Sequence, residues 1–227
     1  MAVKYWGARS EIFTSRFDPS LNMQIADLAA PGGPLDSDDC PKWWDEKAPT
    51  IILSIRRYDL NDQLGVREAR ILERASPAVI LRCSPLDRSI PIYREWSSYG
   101  GLLATSFDPT GVAWLALDDL VAAMTKMSSA IENRAGKAYD ITGPRKFSMN
   151  EMADIFANQL GSSVSAEYVS PEEMMKYLVQ NGVDKEFARW TVELQAATSD
   201  TRLPDSSTTL ERILDRPLTN PFDSVNI

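Results

Sequence analysis

Apolar residues along this chain alternate between unbroken runs and runs spaced at helical intervals. Thr50-Ile51-Ile52-Leu53-Ser54-Ile55 is a nearly continuous apolar, β-branched run, the pattern of a parallel strand buried on both faces. Gln63 to Arg74 is polar, with Leu64, Ile71, Leu72 and Ala75 giving it one apolar side, and it reads as a helix. Ala78 to Cys83 is a second buried-strand candidate. Strand, helix and strand at this spacing make a βαβ unit with a right-handed crossover. Pro85 to Trp96 is mixed, and Ser98-Tyr99-Gly100-Gly101 reads as a turn.

Val112 to Leu117 is the next strand candidate. Asp118-Asp119 then cap a helix from Leu120 to Met127, the position at which acids accept free amides and complement the helix dipole. Lys137 to Thr142 is a strand and Gly143-Pro144 a turn. Ser148 is followed three residues later by Glu151, the spacing of a capping box. Met152, Ile155, Phe156 and Leu160 then form one apolar helical face. Ser163 to Val169 reads as a strand. Ser170-Pro171-Glu172-Glu173 opens a helix carrying Met174, Met175, Leu178 and Val179, with proline at the first helical position. Lys185 to Ala196 is a further helix with Phe187, Trp190, Val192 and Leu194, and Thr209 to Leu214 a short last one before Pro217.

Strands alternating with helices from residue 50 onward place the chain in the α/β class. The expected fold is an incomplete, Rossmann-like, mostly parallel sheet with a small, mainly helical C-terminal subdomain. The expected division is 1–49, a divergent segment covering the sheet; 50–144, the α/β core; and 145–227, the helical substrate subdomain. Residues 1–50 are irregular in pattern. Met23 to Leu28 reads as a strand or a helix turn, and Ala29 to Pro41 as a loop rich in Pro, Gly and Asp. That loop is not a phosphate-binding turn: Gly32-Gly33 lack a third glycine, and Pro34 removes a backbone donor. Fifty residues supply about one or two strands, given crossovers on the order of a dozen residues. The strand at Thr50 then has an apolar edge to cover. Trp6, Phe13, Phe17, Trp43 and Trp44 suit that role, or a second copy of the chain in a homodimer does.

The net charge is −8, from 24 basic and 32 acidic residues, against the basic face that broad nucleic-acid binding needs. No helix-length apolar run is present and the start lacks the apolar core of a secretory signal, so no membrane span and a cytoplasmic location are expected. Histidine is absent and there are 2 cysteines, Cys40 and Cys83. That excludes a Ser-His-Asp triad, the histidine zinc sites and an all-cysteine one. Acid–base work falls to Asp, Glu, Lys, Tyr, Cys or the substrate.

From about Thr50 to Phe222 the chain resembles the back two thirds of the NmrA-like, atypical short-chain dehydrogenases/reductases. The residues carrying the resemblance are Leu81-Arg82 with Pro85, Leu117-Asp118-Asp119-Leu120-Val121, Tyr139-Asp140-Ile141-Thr142-Gly143-Pro144, Ser148-Met149-Asn150-Glu151-Met152-Ala153 and Ser170-Pro171-Glu172-Glu173. Within the branch, it is similar to the reductases and cyclising enzymes of secondary metabolism. The resemblance implies a parallel sheet, a small C-terminal subdomain and a ligand cleft. It also implies NAD(P), held by a strand, a glycine-rich turn and a helix that this sequence does not show. No cofactor is therefore expected. The family's tyrosine–lysine pair has no clear counterpart, because Tyr58 lies near the right strand end while Arg67 or Arg70 falls where the lysine belongs. Arginine does not relay protons, and both arginines also fit a solvated helix face.

Ligands of open α/β sheets lie at the carboxyl ends of strands. By that rule Asp87, Glu95 and Tyr58 are the candidate catalytic residues, and Tyr93, Trp96, Met174 and Trp190 the candidate substrate contacts. An acid beside aromatic rings has a raised pKa and can exchange a proton; each acid also reads as a solvated loop residue, and the aromatic and methionine positions as core. Asp118 reads as a structural cap. The expected function is a redox-neutral cyclase, isomerase or lyase acting on a small, apolar secondary-metabolite intermediate. Its alternatives are an NAD(P)-dependent reductase of an imine, enone or carbonyl, and a non-catalytic NmrA-like regulator that binds a protein partner.

Overall fold

The computed structural model describes residues 4–6, 14–18, 20–21, 23–28, 45, 47–54, 66, 68–69, 72–73, 77–198 and 208–223. The chain divides into two compact units, Met1–Cys83 with Asp118–Ile141 and Thr208–Pro217, and Ser84–Leu117 with Thr142–Ser207 and Leu218–Ile227. The expected boundaries grouped 84–117 with the sheet; the structure groups them with 142–207.

The first unit is built on a parallel sheet. Its strands are β1 (Lys4–Trp6), β2 (Gln24–Asp27), β3 (Thr50–Ser54), β4 (Ala78–Cys83) and β6 (Ala138–Ile141), in the order β1-β2-β3-β4-β6. All of β3 is buried, as is β4 except Arg82, which is what their unbroken apolar runs require. Ala26, Leu28, Ile52, Ala78 and Ile80 form one packed cluster, with Leu72 against it. Leu72 belongs to the helical residues Val66, Glu68, Ala69, Leu72 and Glu73, the described part of the expected crossover helix. Glu68 is buried and takes a two-pronged bond from Arg82, 2.8 Å from Nη2 and 3.2 Å from Nε, fastening that helix to the end of β4.

β1 and β2 lie beside β3, so residues of the first fifty pair its otherwise open edge within the same chain. Phe17 is buried; Phe13, Trp43 and Trp44 lie outside the described residues. Helix α2 (Leu117–Ser128) buries Leu120, Ala123, Met124 and Met127, the spacing of one helical face. Helix α6 (Thr208–Leu214) closes the unit: its last carbonyl accepts from Lys126 Nζ at 2.8 Å, and Arg216 just beyond it pairs with buried Asp119 at 2.6 Å. The expected cap, Asp118, is already inside the first turn, where it is exposed and paired with Arg16. The buried aspartate of this helix is its neighbour.

The second unit holds α1 (Ile90–Ser98), α3 (Met149–Leu160), α4 (Pro171–Gln180) and α5 (Lys185–Thr198). They accompany a two-stranded parallel sheet of β5 (Leu102–Thr105) and β7 (Ser165–Tyr168). Val112–Leu117 is not a strand of the main sheet. It is extended, bridged singly at Val112 to Phe147 and at Leu115 to Leu86, and it carries Trp114 and Leu115 into a buried position. The core around it is aromatic: Tyr93, Phe107, Trp114, Phe147, Phe156 and Phe222. Gly143 is required by this packing, because a Cβ there would lie 1.7 Å from the Trp114 carbonyl oxygen. No described helix is long and apolar enough to cross a membrane.

Both capping boxes form. The Ser148 and Ser170 amides donate to Glu151 and Glu173 at 2.8 and 2.9 Å, and the two hydroxyls accept the return bonds. The backbone amide of Ser148 holds the Glu151 carboxyl below its ordinary 4.5, as that of Ser170 does for Glu173. The Thr110 hydroxyl holds Asp108 below 3.8. Groups lowered in the folded state add stability that is complete above the ordinary value and lost as pH falls through the folded one. Stability should therefore decline below about pH 4.5, and D108N/E151Q/E173Q should start less stable at pH 7 yet decline less steeply. Urea melts across an acid series test this. In the same assay S148A should lose about 1 kcal/mol.

Candidate functional site

The candidate residues that the structure describes cluster in the second unit, on α1 and the elements around it. Helix α1 begins with Pro91 in its first turn and buries Ile90, Tyr93 and Ser97, spaced as one face. The Tyr93 ring meets Trp96 edge-on at 5.5 Å and lies 5.6 and 5.7 Å from Phe107 and Trp114. Burial pushes the Tyr93 phenol well above its ordinary 10.0, against a smaller opposite pull from Gln195. It is therefore a neutral hydroxyl at any physiological pH.

Gln195 Nε2 donates to the Tyr93 hydroxyl at 3.1 Å, and Gln195 Oε1 accepts from Ser106 N at 2.8 Å and Ser106 Oγ at 2.6 Å. All three residues are buried, so the bonds are strong and costly to break. Gln195 and Ser106 were absent from the sequence-derived set. The available signal was a glutamine in line with Ala188 and Thr191, three and four residues apart on the buried stripe of α5.

Asp87 is buried and starts the 3-10 turn Asp87–Ser89. Its amide donates to Leu115 O at 2.9 Å, and its Oδ1 accepts the amide of Leu117, the first residue of α2, at 3.2 Å. Glu95 faces solvent, where the Tyr99 hydroxyl donates to it at 3.3 Å. The two carboxylates thus have different surroundings, one anchored to backbone and one solvated, and do not form the expected acid–base pair. The reason is helical phase: Glu95 lies two residues from Tyr93, on the opposite side of α1.

Trp96 is half-buried and packs against both the aromatic core and a second cluster of Met174, Leu178 and Ala188. Tyr93, Trp96 and Met174 are thereby neighbours in the packed interior. Trp190 is half-buried, tilted on Phe187 at 5.5 Å. Tyr58, Arg67 and Arg70 lie outside the described residues. D87A, which leaves a helix-opening amide without its acceptor, should cost about 2 kcal/mol. E95Q should change stability by less than about 0.5 kcal/mol. Chemical denaturation of both variants checks this, and equal losses would contradict the assigned roles.

The resemblance implies a dinucleotide, whose pyrophosphate needs open amides at a helix start and close backbone approach. At the starts of α2, α3, α4 and α5 one or two of those amides already have side-chain acceptors from this chain, whereas the start of α1 has no side-chain cap. Asp87 takes that of Leu117 at α2, the Ser148–Glu151 and Ser170–Glu173 boxes close α3 and α4, and Asp184 Oδ1 takes those of Glu186 and Phe187 at α5, both at 3.0 Å. Between β1 and β2 the described residues form only the 3-10 turn Thr14–Arg16. The starts of α2, α3, α4 and α5 therefore offer a pyrophosphate fewer open amides.

No family model matches the chain. Prestalk A differentiation protein A of Dictyostelium discoideum is 24% identical over 94 residues, 40% of this chain and 30% of that protein. An NADPH-dependent quinone oxidoreductase from Escherichia coli superposes with a TM-score of 0.68 at 18% identity, over 78% of this chain and 66% of its own. Triphenylmethane reductase of Citrobacter sp., solved with NADP(H), gives 0.67 at 16% identity over 92% of this chain and 78% of its own. An NmrA variant gives 0.56 at 13% identity, over 78% and 63%. The chain thus spans under two thirds of the quinone oxidoreductase and under one third of the Dictyostelium protein. Its parallel sheet is Rossmann-like, and its fold is the one shared with these reductases and with NmrA, the fold of the NmrA-like, atypical short-chain dehydrogenases/reductases.

Proposed function

We propose that this protein is a reductase, transferring hydride from NAD(P)H to an imine, enone or carbonyl group of a small, largely apolar molecule. The observation that carries this reading is the fold, shared over 78% and 92% of the chain with a quinone oxidoreductase and a triphenylmethane reductase. By their names one neighbour acts on quinones and the other on triphenylmethanes, both built on six-membered carbon rings. The aromatic, methionine-bearing interior of the second unit is the kind of environment in which such molecules are held. On this reading the dinucleotide contacts come from outside the described residues.

One observation favours a second reading. The acceptors at the described helix starts, and the hydrogen bonds of Asp87 and Tyr93, serve the fold. A non-catalytic NmrA-like protein would keep the architecture in this way while giving up the reaction. The redox-neutral cyclase, isomerase or lyase reading has no such support among these neighbours, which are reductases and NmrA.

The test is direct. The purified protein is titrated with NADPH by calorimetry, and NADPH absorbance is followed with a naphthoquinone, a cyclic enone and a cyclic imine as acceptors. The reductase reading expects NADPH to be consumed in step with at least one acceptor. Absence of both heat and consumption, with a protein partner retained stoichiometrically on the purified chain, would replace it with the second reading.

A further inference from the structure

Thr142 follows β6 directly and is 0% exposed. Its hydroxyl finds no hydrogen-bond partner among the described residues. Buried hydroxyls are nearly always paired, so an unpaired one calls for a specific cause. The polar groups next to it are paired. Ser84 follows Cys83, which pairs in register with Ile141, the residue before Thr142. Ser84 Oγ donates to the Ala113 carbonyl at 2.6 Å, and the Gly143 amide donates to the same oxygen at 3.2 Å. The backbone is pressed together here, since Gly143 has no room for a Cβ beside Trp114. A segment this tightly arranged nevertheless leaves one hydroxyl free. It does so at the carboxyl end of a parallel strand, where open α/β sheets bind their ligands.

We infer that the Thr142 hydroxyl is a ligand contact that anchors an oxygen substituent of the bound small molecule. A threonine hydroxyl donates to a carbonyl oxygen and accepts from a hydroxyl. It therefore suits a carbonyl before reduction and the hydroxyl it becomes afterwards. This inference rests on the reductase reading for the chemical class of the ligand and adds to it the residue that recognises that class.

The experiment compares the parent protein, T142V and T142S, with menadione as the probe and no dinucleotide present. Binding is read from quenching of tryptophan fluorescence and stability from urea denaturation. T142V keeps the side-chain shape and removes the hydroxyl. The expected result is a T142V protein at least as stable as the parent, with menadione affinity about tenfold weaker, the size of one lost hydrogen bond. T142S should bind within about threefold of the parent. Unchanged affinity in T142V, or no menadione binding by the parent, overturns the inference. A destabilised T142V with parental affinity also does so, since the hydroxyl then holds an ordered water that serves the fold. Threonine-dependent menadione binding without NADPH consumption would leave the inference standing and remove the reductase reading alone.

Discussion

A helix begins with amides that have no partner inside it, and each must find an acceptor. At the starts of α2, α3, α4 and α5 the acceptors are the chain's own carboxylates and hydroxyls. Asp87 holds the first amide of α2, Ser148 and Glu151 close α3, Ser170 and Glu173 close α4, and Asp184 serves α5. The same residues that fix where the helices start also put negative charge at their positive ends, which the helix dipole favours. Three consequences share this cause: these four helix starts are well defined, the Glu151 and Glu173 carboxyls stay ionised below their usual range, and the same four starts are less open to anions. A net charge of −8 acts in the same direction.

The sheet imposes the other constraint. Strands β1, β2, β3, β4 and β6 follow one another across it without a reversal of order. In doubly wound sheets the ligand crevice opens where strand order reverses. Among the described strands no such point exists. Ser84 and Thr142 are buried polar residues just after the ends of β4 and β6.

Much of the fold was legible in the sequence. β3 and β4 are continuous apolar runs that only a buried parallel strand accommodates, and the Ser148 and Ser170 boxes state their own helix starts. β1 and β5 were not legible, because three- and four-residue strands owe their state to a neighbour's pairing more than to their own pattern. Helix α1 was obscured by Pro91, which reads as a break but sits in the first turn, where proline is tolerated. Val112–Leu117 has the composition of a strand, yet it packs Trp114 and Leu115 as an extended segment; apolar content alone cannot separate the two. The candidate site was legible only as a neighbourhood. Tyr93, Trp96 and Met174 do come together, but sequence position could not show that Asp87 would be an anchor and Glu95 a surface residue. Gln195 carries no motif and Thr142 lies in one that marks a strand end and turn, so their hydrogen-bonding states appear only in the structure.

The occupied helix starts weaken the case for a dinucleotide without closing it, and magnitudes show why. A side-chain cap is worth about 1 kcal/mol, and a favourable charge at a helix end about 0.3–1 kcal/mol. A ligand bound at micromolar affinity has about 8 kcal/mol in total. Displacing one cap would thus lower affinity by roughly one order of magnitude, which a large ligand with many contacts can absorb. Lack of close backbone approach is the heavier obstacle, because it removes several charge-assisted bonds at once. In the described part of this chain the tightest backbone approaches involve glycines pressed against the protein itself, Gly143 on Trp114 and Gly111 on Phe147. These glycines serve the packing of the second unit, so in the described part of the chain the closest backbone approaches are made within its own fold.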